Sequence, residues 1–376
     1  MIARRTKSPA SKVRYAVVGL GHIAQVAVLP AFAHARQNSV LTGLVSDDPK
    51  KLRLLARKYG VANTWSYAQY DDALRSGELD AVYIALPNTL HAEYAVRAAR
   101  AGIHVLCEKP LAASEAECRR MIASARDMNV KLMTAYRLHF ERANTEAMEI
   151  VQSGKLGTPR LFSSVFTMNV DDPANIRLKR AAGGGTLWDI GIYCINAARY
   201  IFRAEPYEAF AVSASRNDPR FAEVEEMVAA TLRLPGDCLA TFTCSFGAHD
   251  VGEYHVVGTR GSLRVDPAFE YAGELRHVLT LGERTRERTF AKRDQFAPEL
   301  LYFSRCILDG TEPEPSGEEG LADVRIIEAL YRSAKRGGKR VTLEPIGRWS
   351  RPGRELEIQR PPVRKPKEVR VRAPHS

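Results

Sequence analysis

The residues in this chain best suited to chemistry begin with Lys109, in the run Cys107-Glu108-Lys109-Pro110 that closes an apolar, strand-like segment. Upstream lies a glycine-rich turn, Gly19-Leu20-Gly21-His22-Ile23-Ala24, between the apolar run Val13 to Val18 and a helical pattern opening at Ile23. That is the setting a dinucleotide fingerprint needs: Gly19 for a tight turn, Gly21 for close approach of backbone to a pyrophosphate, Ala24 for close helix–strand packing. The helix start then offers free N–H groups to phosphate oxygens. Alone, such a turn could equally be structural; with Lys109 it marks a reaction centre beside a bound dinucleotide. Asp189 and Tyr193 lie four apart after a glycine turn, on a predicted helix from Leu187 to Phe202, so they share one face.

The elements that must position these groups fall into two rhythms. Apolar runs at Tyr15–Gly19, Val40–Val45, Ala81–Leu86, His104–Cys107 and Lys131–Ala135 alternate with helical patterns at Ile23–Ala35, Pro49–Tyr59, His91–Ala101 and Ser114–Asn129, with shorter pieces near Tyr67–Ser76. Alternation of this kind predicts right-handed βαβ crossovers and a doubly wound parallel sheet. Asp48-Pro49 and the Ser114/Glu117 pair mark helix starts, and Gly60 and Gly102 mark helix ends. From about Leu156 strands follow one another in series: Arg160–Met168, Glu208–Ser215, Val228–Leu234, Cys238–Phe246, Glu253–Val257, Gly261–Val265 and Glu274–Leu281. A mostly antiparallel open sheet in an α+β domain is expected there, with closing helices at Pro298–Leu308 and Glu319–Arg336.

A chain of 376 residues suggests two cores. We expect an arm over residues 1–11, a dinucleotide-binding domain over 12–135, a substrate and oligomerisation domain over 136–343, and a basic Pro-rich tail over 344–376. No window approaches the roughly 18 apolar residues of a membrane span, and Arg4-Arg5 is followed by polar residues, so the reading is a cytoplasmic enzyme without a signal peptide. Six scattered cysteines without a CxxC pair or metal-ligand spacing read as reduced packing residues, and no metal site is expected. The net charge of +11 raises the question of nucleic acid, but Arg348 to Ser376 holds nine Lys/Arg against three Glu. A solvated, extended or disordered tail accounts for that excess, with an acidic partner as the lesser reading.

Three motifs at ordered spacing then carry a specific resemblance: GLGHIA at 19–24, ALPNTLHAEYAVRAARAGIHVLCEKP at 85–110, and GGGTLWDIGIY at 183–193. Supporting stretches are YRLHFERAN at 136–144, DPRFAEVEE at 218–226, DQF at 294–296 and GEEGLADVRIIEALYRSAKRG at 317–337. Over roughly Lys12 to Thr342 the chain resembles the Gfo/Idh/MocA oxidoreductases, and within them the glucose-fructose oxidoreductase branch. The resemblance implies α/β plus α+β architecture, an N-terminal Rossmann sheet with a C-terminal open sheet, and a nicotinamide facing Lys109 with a sugar against it. It also implies a homodimer or homotetramer.

A hydroxyl that loses hydride must lose its proton too, and a cation near that oxygen favours the alkoxide-like charge. Tyr193 stands where much of the family has histidine. A phenol, with an ordinary pKa of about 10, needs a neighbouring ammonium such as Lys109 to serve as base. Tyr193 is therefore assigned as proton acceptor, Lys109 as electrostatic partner and Asp189 as the group orienting hydroxyl or lysine. Ser46 occupies the end of the second strand, where NAD enzymes usually hold an acid. With Lys51 and Tyr67, at positions that surround the 2′-phosphate in the glucose-fructose branch, it favours NADP; Asp47 and Asp48 next to it keep NAD open.

Leu86, Pro87, Asn88, His91 and Glu108 match family positions near the cofactor, although His91 could simply begin a helix. Arg137 and His139 follow the sixth strand as contacts to cofactor or sugar, whereas Arg177, Lys179 and Arg180 could equally be a solvated basic face. The leading reading is an NADP-dependent sugar oxidoreductase acting at an aldose C1. Its rivals are a dehydrogenase or reductase of another sugar, such as xylose or anhydrofructose, and a dinucleotide-binding sensor without turnover.

Overall fold

A computed structural model describes residues 12–344 and 353–371; the expected arm over 1–11 lies outside them. The first unit runs β1 (Val13–Val18), α1 (Leu29–Ala31), β2 (Ser39–Val45), α2 (Pro49–Tyr59), β3 (Asn63–Trp65), α3 (Tyr70–Arg75), β4 (Ala81–Ile84), α4 (His91–Arg100), β5 (His104–Glu108), α5 (Glu115–Asp127) and β6 (Leu132–Ala135). Its six strands pair in the order β3-β2-β1-β4-β5-β6, all parallel. The central strands are buried on both faces, which is why they read as unbroken apolar runs. Asp48 caps α2 by accepting from the Lys50 and Lys51 N–H groups, and Ser114 caps α5 by accepting from the Glu117 N–H.

The helix expected over Ile23–Ala35 is shorter and irregular. It opens as a wide π turn over Ala24–Val28 before α1. Pro30 has no N–H to close a normal helical bond and so disturbs the ladder.

The second unit contains α6 (Arg142–Gln152), β7 (Pro159–Asn169), α7 (Ile192–Phe202), β8 (Glu208–Ala214), β9 (Met227–Leu234), β10 (Cys238–Ser245), β11 (Gly247–Gly258), β12 (Gly261–Val265), β13 (Leu275–Leu281) and β14 (Arg284–Phe290), followed by α8 (Ala297–Asp309), α9 (Gly317–Lys335) and β15 (Val341–Thr342). Nine strands form one sheet in the order β14-β13-β12-β11-β7-β10-β9-β8-β15. Only the central β7–β10 pair is parallel. The inner face, including Phe162, Val228, Leu232, Phe242 and Val256, packs on α7 and α9.

Two closing helices return to the first sheet. Leu300 and Phe303 of α8 join the core with Tyr15, Val17 and Leu44, and the Tyr15 hydroxyl meets Ser304 Oγ at 2.8 Å. Helix α9 belongs to both units: Leu321 and Val324 enter the first core, and Ile326, Ile327 and Leu330 the second. Each such side chain contributes on the order of 1.5–3 kcal/mol on burial. All six cysteines are buried thiols. Among the described residues no helix is long and apolar enough to cross a membrane.

The tail corrects one expectation. Apart from a short turn over Arg354–Leu356, its residues 353–371 are extended, yet they are docked and not free in solvent, with Arg354 and Glu357 paired to Glu149 and Arg142 of α6 and the rest lying on the first unit. Leu356 is buried, and Ile358 and Val369 pack against the core beneath β1. Val369 exchanges two hydrogen bonds with the Gln25 amide, at 2.8 and 3.0 Å. Charge and proline dominate the composition, so three well-placed apolar residues did not stand out.

Candidate active site

The carboxyl ends of β1, β4, β5 and β6 bring the motifs to one edge, where open α/β sheets bind ligands. Gly19 has φ +94°, and a Cβ there would sit 2.5 Å from the Ala85 carbonyl oxygen, so only glycine lets the first turn approach the end of β4. At Gly21 a Cβ would meet no protein atom within 4 Å; its smoothness serves something other than internal packing. A pyrophosphate lying against that backbone fits both glycines.

Lys109 leaves the end of β5 and points across to α7. Its ammonium donates to the Asp189 carbonyl at 2.7 Å and to Asp189 Oδ1 at 3.3 Å, and lies 4.8 Å from the centre of the Tyr193 ring. The segment around Asp189 is itself a wide π turn over Leu187–Gly191, preceding α7. Arg177 grips the other carboxylate oxygen, Nε to Oδ2, at 2.5 Å. Burial alone would raise the Asp189 pKa; Arg177 and Lys109 outweigh it and hold it at about 2. For Lys109, burial disfavours the charge, but Tyr193, Asp189 and Glu108 prevail and raise its pKa above the usual amine value. Lys109 is thus a fixed cation at neutral pH.

Arg137 also approaches Tyr193, its guanidinium 5.1 Å from the ring centre and 5.3 Å from that of Tyr271. It donates to the Phe269 carbonyl at 2.6 Å and bonds Gln295. Phe166 and Phe269 pack against the half-buried Tyr193 ring, with centroids 5.5 and 5.8 Å away. Two cations and an apolar wall therefore lie close to one phenol.

Other predicted residues take supporting places. His91 is wholly buried, its ring nitrogens each 2.9 Å from the carbonyls of Pro110 and Leu86, so it fastens the Lys109 loop to the β4 loop and lies out of ligand reach. Asn88 donates to the Gly183 carbonyl at 2.9 Å and links the β4 loop to the glycine turn. Glu108 accepts from the Tyr83 hydroxyl at 2.7 Å; burial raises its pKa, against the pull of Lys109. His139 is buried and meets Asn196 Oδ1 at 2.9 Å, behind Tyr193. Ser46 is buried, its hydroxyl accepting from the Asp48 N–H at 3.3 Å. Tyr67 lies beside Ser46, and burial lifts its pKa to about 12. Lys51, half-buried at the start of α2, has a pKa lowered by burial. His22 turns toward the tail, where Nδ1 meets Glu368 at 2.8 Å; Ile23, Leu20, Leu86 and Pro87 shape the loops around it.

Arg177 was not separable from its neighbours in sequence. Lys179 pairs with Glu223 at 3.2 Å and Arg180 with the Glu223 carbonyl at 2.6 Å, so of the three only Arg177 enters the site. The intervening glycine turn makes the difference. Gly185 has φ +130°, and a Cβ at Gly184 would sit 2.3 Å from the Arg177 carbonyl oxygen. Tyr271 was not singled out, and Gln295 stood only within the DQF stretch at 294–296, with no role assigned to it.

A parallel dinucleotide-type sheet whose edge meets a lysine, a carboxylate and a tyrosine defines a nicotinamide-dependent oxidoreductase site. Family models agree: residues 13–136 match the oxidoreductase family NAD-binding Rossmann fold, and residues 145–264 match the GFO/IDH/MocA C-terminal domain. The chain belongs to the Gfo/Idh/MocA oxidoreductase family. It is 35% identical to a D-xylose 1-dehydrogenase (NADP(+)) of Haloarcula marismortui over 334 residues, covering 86% of this chain and 91% of that protein. The crystal structure of the aldose-aldose oxidoreductase from Caulobacter crescentus, complexed with glycerol, superposes with a TM-score of 0.84 at 39% identity, over 88% of this chain and all of the other. A 3-ketoreductase from Actinomadura kijaniata, in complex with NADP and TDP-benzene, superposes at 0.78 with 26% identity, over 86% of this chain and 98% of its own.

Proposed function

We propose that this protein is an NADP-dependent sugar oxidoreductase that oxidises an aldose at C1. The observation that carries this reading is the approach of both Lys109 and Arg137 to Tyr193, with Lys109 tied to Asp189 at the edge of a dinucleotide-type sheet. Gly19 and Gly21 would receive the pyrophosphate, and Ser46, Lys51 and Tyr67 the adenosine ribose with its 2′-phosphate. Bound there, the nicotinamide accepts the hydride from the sugar or returns it. Tyr193 takes the hydroxyl proton as the C–H bond breaks, and Lys109 meets the negative charge growing on the sugar oxygen. Asp189 keeps the ammonium aimed, and Arg137 lies against the phenol ring. A site dedicated to sensing would have no use for this arrangement of base, cation and orienting carboxylate.

A second reading is favoured by the 39% identity to an aldose-aldose oxidoreductase: the same bound cofactor then returns its hydride to a second sugar. One experiment addresses both readings. Purified protein is mixed with single aldoses and with aldose pairs, with and without added NADP, and reduced nicotinamide is followed by absorbance while products are followed by mass. Free NADPH in proportion to aldonic product supports the dehydrogenase; paired oxidised and reduced sugars without free NADPH support exchange. Absence of hydride transfer with any aldose would remove the proposal.

A further inference from the structure

The tail that docks on the first unit crosses the end of the cleft where the adenosine would lie, and it brings a charge with it. Glu368 bonds His22 inside the glycine-rich turn at 2.8 Å. The next residue, Val369, is clamped by Gln25, whose amide also donates to the Leu20 carbonyl of that turn at 2.9 Å. The Lys58 ammonium of α2 reaches the Lys367 carbonyl at 3.4 Å. The strap is therefore anchored both to the phosphate turn and to the helix that follows Ser46.

Its course then changes abruptly at Arg370, which sits at φ +50°, in the left-handed region that a long side chain seldom adopts. Such a conformation persists only where the surroundings impose it. The turn delivers the Arg370 guanidinium to the N-terminus of α2, where it meets Asp48 Oδ1 at 3.3 Å. Asp48 already accepts from two helix N–H groups as the cap of α2. Lys51 lies close enough for Arg370 to disfavour its charge, after burial, the larger effect. Two cations and a helix N-terminus thus converge around one carboxylate that is already shared, while the Ser46 hydroxyl lies next to them on the Asp48 N–H. An anion with several oxygens would relieve that crowding.

We infer that Arg370, carried by the C-terminal strap, is a cofactor-specificity residue that grips the adenosine 2′-phosphate together with Lys51 and Ser46. This rests on the NADP reading above and assigns a part of that site to the tail. On cofactor entry Arg370 trades its exposed contact with Asp48 for the dianion, and the strap keeps it in place by its bonds to His22 and Gln25. The guanidinium is suited to phosphate because it offers paired N–H donors in one plane.

The test measures binding of 2′,5′-ADP, 5′-AMP, NADP and NAD at fixed ionic strength by titration calorimetry, on the full chain, on Arg370→Ala, and on a chain ending at Lys367. Arg370 is more than half exposed, so its removal leaves packing intact. We expect Arg370→Ala and the shortened chain to weaken 2′,5′-ADP and NADP by roughly tenfold or more, the usual loss for one charged hydrogen bond, with 5′-AMP and NAD changed less than twofold. Full retention of the preference for 2′,5′-ADP in Arg370→Ala would overturn the inference and leave the NADP reading standing. Equal weakening of all four ligands would also overturn it, since the strap would then be holding the fold and not reading the phosphate. If the unaltered protein binds 2′,5′-ADP no better than 5′-AMP, the NADP reading itself fails and the role of Arg370 with it.

Discussion

Replacing Asp189 by asparagine separates charge from shape at the centre of the site. The folded protein holds this carboxyl at about 2, against an ordinary value of 3.8. A difference of nearly two units corresponds to about 2 kcal/mol of preference for the ionised form. Because the folded value lies below the unfolded one, the stabilisation is fully present above pH 4 and is lost as the pH falls toward 2. Asp189→Asn should therefore lower the unfolding free energy by about 2 kcal/mol at pH 7, measured by urea denaturation, and the gap to the parent protein should stay constant down to pH 5. Lys109 would keep its bond to the Asp189 carbonyl, but Arg177 would lose its partner. Hydride transfer should fall while cofactor affinity stays close to that of the parent. A gap that closes between pH 7 and pH 5, or a variant as stable as the parent at pH 7, would refute the picture of a carboxylate fixed between two cations.

Tyr193→Phe keeps the ring but removes the proton acceptor, so hydride transfer measured by stopped-flow absorbance should drop by about two to four orders of magnitude; an unchanged rate would move the base elsewhere. Ser46→Asp introduces the acid that dinucleotide folds use for a ribose diol, and the ratio of NADP to NAD affinity should shift toward NAD; a stronger preference for NADP would contradict the assignment of that turn. The outer face of the second sheet exposes Leu161, Val212 and Leu239 at 42%, 56% and 44%, and we propose that a second copy of the chain covers it. Sedimentation should report a dimer or tetramer at micromolar concentration, and Val212→Glu should shift it toward monomer; a purely monomeric parent would end that proposal.

The first sheet was legible because strands buried on both faces leave continuous apolar runs, and because Asp48, Ser114 and Gly60 punctuate its helices as their side chains and backbone require. Strand β14 was not. Its run Arg284 to Phe290 is exposed except at the end, so it has no alternation to read. Helix α6 was not expected although Ala143, Ala147, Ile150 and Val151 line its buried side, since only its first three residues fall within the YRLHFERAN stretch at 136–144. In the site, Lys109, Asp189 and Tyr193 stood out by their motifs, but the grip of Arg177 on Asp189 depends on how three glycines fold the chain back, and spacing does not encode that. The docking of the tail hinges on Gln25 meeting Val369, 344 residues apart, and on Leu356 within the tail.

Helix α9 has a bearing on how the molecule comes apart. It lends Leu321 and Val324 to the core under the first sheet and Ile326, Ile327 and Leu330 to the core under the second, and α8 seals the remaining face with Leu300 and Phe303. The first sheet is thus completed by helices that follow β14 in the chain, far from its own strands. A fragment ending after β6 would leave those seats open to water, and the melting of either sheet removes a wall of the other. The two sheets are therefore coupled through α8 and α9, and the cofactor edge reaches its final form only after the closing helices are in place.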